Sequence, residues 1–209
     1  MAAEGAAYDA VALAYDRLLP SLDAEHPRDL AMLSAFADAA ADAGGDVVDV
    51  GCGTGRVARW LGARDLRVHG VDPSEGMLCI ARAAQPGARW SRGTATEVPV
   101  ADACAGGVLA WYSLIHVPDA ALDAAAAELA RVVRPGGVVL VAAQSGSGMR
   151  TIASAYGTDA TLTAWAHDAA ALASALEGAG LDVVARLERG PEGRERMPQA
   201  SVLARRAAS

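Results

Sequence analysis

Short apolar runs alternate with segments of helical spacing through the middle of the chain. The apolar runs are strand-like and cover residues 47–50, 66–71, 88–93, 107–112 and 137–143. Segments with helical spacing lie between them, at residues 56–61, 74–84 and 120–133. Strands without polar alternation are buried on both faces, as in a parallel sheet covered by helices. The pattern predicts an α/β fold with a doubly wound sheet and helices on both faces.

Helical segments and turn signals flank this alternation. Residues 8–43 have helical spacing, and Pro20 and Pro27 divide them into a short helix and a longer one. After a loop-like stretch that begins at residue 144, Asp168 is suited to cap a helix that runs to Glu177.

The chain closes with two strand-like runs separated by residues 189–199, which contain two prolines and two glycines. This spacing predicts a hairpin that joins the sheet, giving seven strands with the last one antiparallel. At 209 residues the chain has the size of one domain. We divide it into an N-terminal helical lid (1–45), a cofactor-binding core (46–143) and a segment with the substrate loop, last helix and hairpin (144–209).

Composition argues against several classes of function. The net charge of -7 offers no basic surface for nucleic acid. The longest apolar runs are far shorter than the roughly 20 residues that span a bilayer, which favours a cytoplasmic protein without membrane contact. All 18 basic residues are arginine, so lysine Schiff bases and the lysine of a phosphate-binding loop are excluded. Cys52, Cys79 and Cys104 lack metal-ligand spacing, and we expect them to be small buried apolar side chains.

Three glycines follow the first predicted strand in VVDVGCGTG, residues 47–55. Without side chains, Gly51, Gly53 and Gly55 would let the backbone approach a ligand at the carboxyl end of the sheet. Asp72 ends the second strand and is placed to bind the two hydroxyls of a ribose. Both signals suit a nucleoside-containing cofactor, nicotinamide dinucleotides included. The dinucleotide pattern G-x-G-x-x-G requires glycine at position 56, however, where this chain has Arg56.

Four segments in order resemble the class I S-adenosylmethionine-dependent methyltransferases, in particular bacterial enzymes that act on small molecules. They are VVDVGCGTG (47–55), VHGVDPSEGML (68–78), RGTATEVPVADACAGGVLAWYSLIHVP (92–118) and RVVRPGGVVLVA (131–142). The resemblance runs from Tyr8 to the C-terminus. It implies a Rossmann-like fold, S-adenosylmethionine as cofactor, S-adenosylhomocysteine as product, and methyl transfer by in-line displacement.

The resemblance also implies roles for single residues. Backbone at Gly51 and at the Ala110–Trp111 turn would hold the methionine amino group, and Asp49 would orient the site. Members of the family often have an aspartate for the adenine amino group where this chain has Thr94, so the Thr94 hydroxyl and the Ala95 backbone are expected to substitute. The expected cofactor-binding set, in which Asp72 binds the ribose and Pro73 and Met77 pack on adenine, is Tyr15, Asp49, Gly51, Cys52, Gly53, Gly55, Asp72, Pro73, Met77, Thr94, Ala95, Ala110 and Trp111. No metal ligand is expected.

The candidate catalytic residue is His116, which follows the fourth strand. An imidazole with an ordinary pKa of ~6.5 can take the proton of a hydroxyl acceptor at neutral pH, although a structural loop histidine is the alternative. Tyr8 and Tyr15 share one helix face and either cover the cofactor or pack as in any amphipathic helix. Alternation should send Trp111 and Tyr112 to opposite sides of the sheet. The expected substrate-contacting set is Tyr8, Tyr112, His116, Gln144, Tyr156 and His167.

The acceptor itself stays open. Oxygen, nitrogen and carbon nucleophiles are all methylated on this fold, and the fold does not choose among them. A rim rich in leucine, isoleucine, tryptophan and tyrosine favours a partly aromatic small molecule. The alternatives are an S-adenosylmethionine-binding protein without transferase activity and an NAD-dependent oxidoreductase. We expect a monomer or homodimer.

Overall fold

The computed structural model describes residues 2–193 and 195–208, with side chains from Gly5 onward. Met1, Arg194 and Ser209, which the predicted lid and C-terminal segment include, lie outside the described residues. The helices are α1 (Ala2–Leu18), α2 (Pro27–Ala43), α3 (Arg56–Gly62), α4 (Glu75–Ala84), α5 (Leu122–Val132) and α6 (Ala169–Gly178). The strands are β1 (Asp46–Val50), β2 (Val68–Asp72), β3 (Arg89–Arg92), β4 (Ala105–Trp111), β5 (Val133–Gln144), β6 (Met149–Ile152), β7 (Leu162–Trp165), β8 (Leu181–Arg189) and β9 (Gln199–Arg206).

Seven strands form one sheet in the order β3-β2-β1-β4-β5-β9-β8, in which β9 runs antiparallel to both β5 and β8 and the other pairs are parallel. This confirms the Rossmann-like sheet, the final hairpin and the antiparallel last strand. Asp168 caps α6 as predicted, since its carboxylate accepts a hydrogen bond from Ala171 N–H (2.7 Å). Within the described part of the chain, no helix is both long and apolar enough to cross a membrane.

Successive residues of the central strands pack on opposite faces of the sheet. Val48, Val108 and Val139 belong to a core with α5 and α6, whereas their neighbours Val47 and Leu109 pack with α2 and α3. Helices therefore cover both faces, and the strand ends are left to form sites.

Several local predictions were wrong. The first helix is not short, because α1 and α2 both have 17 residues. Strand β5 begins at Val133 rather than at residue 137, since a register shift against β4 accommodates the Arg134–Gly137 turn sequence within the strand. Only Cys52 is buried, while Cys79 on α4 and Cys104 before β4 are exposed.

The stretch predicted as a loop contains a two-stranded antiparallel sheet of β6 and β7. We call residues 149–165 the cavity hairpin. Its strands have four residues each, too few for a clear period-2 signal, and β7 contacts α1 and the short 3₁₀ turn Leu114–His116. Tertiary packing, which the local sequence does not display, fixes this element.

Candidate functional site

A cavity of about 340 Å³ opens at the carboxyl ends of β1, β2, β4 and β5. It lies where the strand order reverses between β1 and β4, which is where open parallel sheets bind ligands. Helix α1 and the cavity hairpin contribute to its wall. The predicted residues that line it are Tyr8, Tyr15, Gly51, Gly53, Asp72, Pro73, Met77, Thr94, Ala95, Trp111, Tyr112, His116, Gln144 and Tyr156.

The three glycines of the turn after β1 all have left-handed backbone, with φ of 76°, 54° and 78°. A Cβ at Gly51 would lie 2.1 Å from Ser113 Cβ, and one at Gly55 would lie 2.7 Å from the Trp90 ring. These two glycines are required by protein packing. A Cβ at Gly53 would meet nothing closer than the Tyr15 ring at 3.8 Å, so this glycine leaves cavity space open.

Asp72 is nearly buried, and each of its carboxylate oxygens accepts one backbone hydrogen bond. Gly53 N–H donates to Oδ2 and Ser74 N–H donates to Oδ1, both at 2.9 Å. Burial raises the pKa of Asp72 to about 6, against the effect of these two hydrogen bonds. The remaining lone pairs of an ionised Asp72 can accept bonds from ligand hydroxyls.

Asp49 lies deeper, at 1% exposure, and its Oδ2 has no hydrogen-bond partner. Burial, together with the charge of Asp72, raises the pKa of Asp49 to about 7. A buried carboxylate oxygen without a partner beside a ligand cavity is a natural acceptor for a donor group that a ligand brings.

Three tyrosines from two elements meet at the cavity. The Tyr156 ring lies 5.0 Å from that of Tyr15 and 6.4 Å from that of Tyr8, centroid to centroid. Tyr156 has left-handed backbone with φ of 53°, an uncommon conformation for a bulky residue that tertiary contacts must hold. Tyr8 and Tyr15 therefore share a helix face as predicted, and that face is turned to the cavity.

His116 is held from both ring nitrogens. Its Nδ1 lies 2.9 Å from the Thr163 carbonyl oxygen, and its Nε2 lies 2.7 Å from the Tyr8 hydroxyl. Because a carbonyl can only accept, Nδ1 carries the hydrogen, and in a neutral ring Nε2 accepts from Tyr8. The cavity hairpin thus selects the tautomer, and α1 supplies the partner of the basic nitrogen.

Other predicted residues lie outside the cavity lining, namely Asp49, Cys52, Gly55, Ala110 and His167. His167 is fully buried and its Nε2 donates to the carbonyls of Leu114 (3.2 Å) and Val117 (3.0 Å). Its packing role is to fix the turn that carries His116, since its ring nitrogens contact that segment and Asp119.

The expected split between Trp111 and Tyr112 was wrong, because both line the cavity. Tyr112 has a φ of 57°, which ends the strand alternation on which the prediction rested. The lining residues that sequence reasoning missed are Leu19, Val50, Arg56, Ser113, Ile115 and Val117. The Arg56 guanidinium is paired with Glu25 (2.5 Å), and only its position after the glycine turn could have indicated it.

Comparisons with known proteins point to a methyltransferase domain. A family model described as a methyltransferase domain matches residues 47–137. The malonyl-(acyl-carrier protein) O-methyltransferase of Serratia marcescens is 35% identical over 113 residues, which are 54% of this chain and 44% of that protein. The ubiquinone/menaquinone biosynthesis C-methyltransferase UbiE of Rubrivivax gelatinosus is 36% identical over 100 residues, 47% of this chain and 39% of that protein. The chain spans less than half the length of these two relatives.

Among solved structures, the (4+2)-cyclase SpnF superposes with a TM-score of 0.73 at 20% identity, covering 98% of this chain and 96% of that one. At 20% identity, this likeness shows the fold alone. The residues that the family model matches include Gly51, Gly53 and Asp72, which line the cavity. The comparisons identify a methyltransferase domain at residues 47–137 and support the class I S-adenosylmethionine-dependent methyltransferase family for this chain.

Proposed function

We propose that this protein transfers a methyl group from S-adenosylmethionine to a small hydroxyl-bearing, partly aromatic acceptor. The observation that carries this proposal is that one cavity is lined both by the glycine turn with Asp72 and by the Tyr8–His116 pair. The glycine turn with Asp72 is suited to bind a nucleoside, and the Tyr8–His116 pair is suited to accept a proton. Methyl transfer to a hydroxyl needs both within one enclosed space.

The residues present fit the cofactor. Gly53 leaves room against the turn, Asp72 has free lone pairs for hydroxyls, and the orphaned Oδ2 of Asp49 can take a donor group. The backbone at Gly51 and Trp111 would hold the methionine end, Pro73 and Met77 would pack on adenine, and Thr94 with Ala95 would contact its edge. When bound, S-adenosylmethionine supplies a methyl group on a positively charged sulfur. The rings of Tyr8, Tyr15 and Tyr156 offer electron-rich faces that suit positive charge.

A proton route is built into the wall. The Tyr8 O–H donates to His116 Nε2, so the Tyr8 oxygen keeps lone pairs for an acceptor hydroxyl. As that hydroxyl loses its proton to Tyr8 Oη, Tyr8 passes its own proton to Nε2, and His116 becomes the imidazolium. Burial raises the pKa of Tyr8 well above its usual range, so the phenol stays protonated and His116 is the base.

The relatives leave the acceptor atom open, since one is named an O-methyltransferase and the other a C-methyltransferase. The hydroxyl proposal rests on the proton route instead. A second candidate is an S-adenosylmethionine-binding protein that catalyses no methyl transfer. We also propose that the protein is a cytoplasmic monomer or homodimer, folded as one domain, that acts on small molecules and not on nucleic acid.

Calorimetric titration with S-adenosylmethionine and with NAD tests the cofactor. We expect binding of the former alone, and loss of that binding in Gly53→Val, whose side chain would fill the cavity at the turn. Asp72→Ala should weaken binding by roughly 1.5–3 kcal/mol, the range for hydrogen bonds to a charged group. Binding of NAD instead would favour an oxidoreductase.

Release of S-adenosylhomocysteine over a panel of phenols, amines and carboxylates tests the transfer. Turnover with hydroxyl compounds is the expected result. Cofactor binding without turnover on any member of the panel would support the binding-protein alternative.

A further inference from the structure

Two residues of the cavity wall carry a buried polar atom that has no hydrogen-bond partner. Of the buried side-chain atoms that lack a partner among the described residues, two belong to residues that line the cavity, namely Trp111 Nε1 and Gln144 Oε1. Trp111 is only 5% exposed, so bulk water does not serve its N–H group. Buried polar groups are normally paired, and unpaired ones in the wall of a cavity point to groups that a ligand supplies.

Trp111 and Gln144 lie at the carboxyl ends of neighbouring strands. Trp111 ends β4 and pairs with Ala142 of β5, and Gln144 is the second residue after Ala142. Because side chains two positions apart share a face of a sheet, Gln144 lies on the same face as Trp111, one strand away. The strand order β2-β1-β4-β5 separates Gln144 from Asp72, at the end of β2, by roughly 14 Å. Gln144 therefore lines the part of the cavity that is remote from the proposed ribose site.

The backbone of Gln144 is fixed, while its amide is left for a ligand. The Gln144 carbonyl oxygen accepts from His167 N–H at 3.0 Å, and the residue pairs with Gln199 on β9. The Gln199 amide differs, because its Nε2 donates to the Met197 carbonyl oxygen at 2.7 Å. Rotation of the Gln144 amide about its last side-chain bond can turn either its oxygen or its NH₂ group toward the cavity. Gln144 can therefore offer a ligand both an acceptor and a donor.

The charges in the cavity wall favour an uncharged group beside Gln144. Among the described residues that line the cavity, Arg56 and His116 are those that can carry a positive charge. The Arg56 guanidinium is paired with Glu25 at 2.5 Å, and His116 Nε2 lies 2.7 Å from the Tyr8 hydroxyl. Both are therefore already engaged by other groups. An anion beside Gln144 would lose its hydration without gaining a counter-charge, and this costs far more than burying a neutral polar group that is hydrogen-bonded.

We propose that Gln144 and Trp111 bind an uncharged amide group of the methyl acceptor, so that the acceptor is a hydroxyl-bearing amide. This inference rests on the proposed function for the role of the bound molecule. The Gln144 amide is complementary to a second amide, since each has one carbonyl acceptor and an N–H donor. The Trp111 N–H donates to the second lone pair of the ligand carbonyl. The hydroxyl of the same molecule would meet Tyr8, which leads to His116.

Calorimetric titration of four small phenols, with S-adenosylhomocysteine present, tests the inference without requiring turnover. The probes are meta-hydroxybenzamide, meta-hydroxyacetophenone, meta-hydroxybenzoate and meta-cresol, which differ at one substituent. We expect the amide to bind most tightly. Gln144→Leu should weaken binding of the amide by about three- to tenfold and leave meta-cresol unchanged, because only the amide loses hydrogen bonds. Trp111→Phe should weaken binding of the amide and the ketone alike, since it removes the N–H and keeps an aromatic ring in the wall.

Gln85→Leu is the matched control. Gln85 also has a buried Oε1 without a partner, but it follows α4 and lies outside the cavity lining, so this variant should bind all four probes like the parent. The inference would be overturned if the amide failed to bind the parent or bound no better than meta-cresol, or if Gln144→Leu lost affinity for both equally. Tighter binding of meta-hydroxybenzoate would contradict an uncharged group, and equal binding of the ketone would contradict an amide.

Methyl transfer to the same probes distinguishes a failure of this inference from a failure of the proposed function. Release of S-adenosylhomocysteine from S-adenosylmethionine with meta-cresol, together with no preference for the amide, would overturn the inference alone. A preference for the amide that depends on Gln144, together with no methyl transfer to any of the four phenols, would contradict the proposed function and support Gln144 as the residue that binds an amide ligand.

Discussion

The Tyr8 hydroxyl and the Thr163 carbonyl together define what His116 can do. The carbonyl takes the Nδ1 hydrogen, and the phenol occupies Nε2, so both nitrogens have partners within 3 Å. The sequence identified His116 from its place after β4 and Tyr8 from its helix face. It could not pair them, because the two residues are 108 positions apart and nothing local links them.

His116→Ala should lower turnover by ~10² or more, the usual cost of losing a general base. Affinity for S-adenosylmethionine should stay close to that of the parent, because Asp72 and the glycine turn are untouched. Tyr8→Phe should cost a similar factor, and the double variant should lose no more than either single one, since the two residues act as one unit. Steady-state rates at saturating cofactor and acceptor give these numbers.

His69→Ala is the matched control for this series. His69 lies on β2, bonded to Ser91 Oγ (2.7 Å) and outside the cavity lining, so its removal should leave turnover near that of the parent. Fully additive losses in the Tyr8/His116 double variant would contradict a shared proton route, and a His116→Ala enzyme with nearly parental turnover would reduce His116 to a wall residue.

Asp49 is a buried carboxylate with one oxygen that has no hydrogen-bond partner. Burying its charge should lower the free energy of unfolding. The pKa of Asp49 in the folded protein, about 7, lies above the pKa of an unfolded carboxyl. The stability that the protonated Asp49 contributes is therefore fully present at low pH and is lost as pH rises through about 7. Asp49→Asn keeps the shape without the charge. At about pH 8 the variant should be more stable than the ligand-free parent by roughly 1–3 kcal/mol, and the difference should shrink toward about pH 4.

Urea unfolding across this pH range measures the effect, with Asp182→Asn on the exposed side of β8 as a control that should change nothing. A less stable Asp49→Asn at high pH would mean that the carboxylate is satisfied in the folded protein. Cofactor affinity should fall in the same variant, because the introduced amide has a nitrogen where a ligand donor would meet a carboxylate oxygen.

Elements rather than single side chains close the cavity. Helix α1 crosses the start of α4 at small residues, where a Cβ at Gly5 would lie 2.8 Å from the Pro73 carbonyl oxygen. Asp9 ties the two helices together, since its Oδ1 accepts from Ser74 Oγ (2.6 Å) and Gly76 N–H (2.8 Å). Ser74 N–H in turn donates to Asp72, so the position of α1 is connected to the hydroxyl-binding carboxylate.

Asp9→Ala should loosen α1 without removing any residue that lines the cavity. Amide hydrogen exchange across residues 2–18 should speed up, and S-adenosylmethionine should dissociate several-fold faster in stopped-flow experiments. Asp16→Ala, on the same helix, is the matched control and should match the parent. Unchanged exchange in Asp9→Ala would show that apolar packing alone holds the helix in place.

The strands and helices that could be predicted are those with a clear hydrophobic periodicity. The five parallel strands and the helices between them have clear apolar patterns, and the seven-residue spacing of Tyr8 and Tyr15 gave the correct shared face. The cavity hairpin was missed because Ile152, Leu162 and Ala164 are too few to show a period, and their apolar partners belong to other elements.

At the scale of the whole molecule, topology determines where the site lies. The reversal of strand order beside β1 places the glycine turn, Asp72 and the β4 loop at one edge, which the order of motifs along the sequence was enough to predict. Contacts that join the ends of the chain were not predictable. Arg189 at the end of β8 and Asp29 at the start of α2 are both nearly buried, and 160 positions separate them.

This buried pair should make the last hairpin and the second helix unfold together. The Arg189 guanidinium lies 2.5 Å from Asp29 Oδ2 and 2.5 Å from Glu195 Oε2, and both carboxylates raise its pKa. Arg189→Leu would leave Asp29 buried and unpaired, and should lower the free energy of unfolding by roughly 3–5 kcal/mol. Arg189→Leu combined with Asp29→Asn should recover part of that loss, because Asp29 then no longer leaves a buried unpaired charge.

Urea unfolding followed by far-UV circular dichroism and by tryptophan fluorescence should give one coincident transition for the parent and for each variant. Two separate transitions in the parent would contradict a single cooperative domain, and an Arg189→Leu midpoint equal to that of the parent would show that the pair does not couple the two ends.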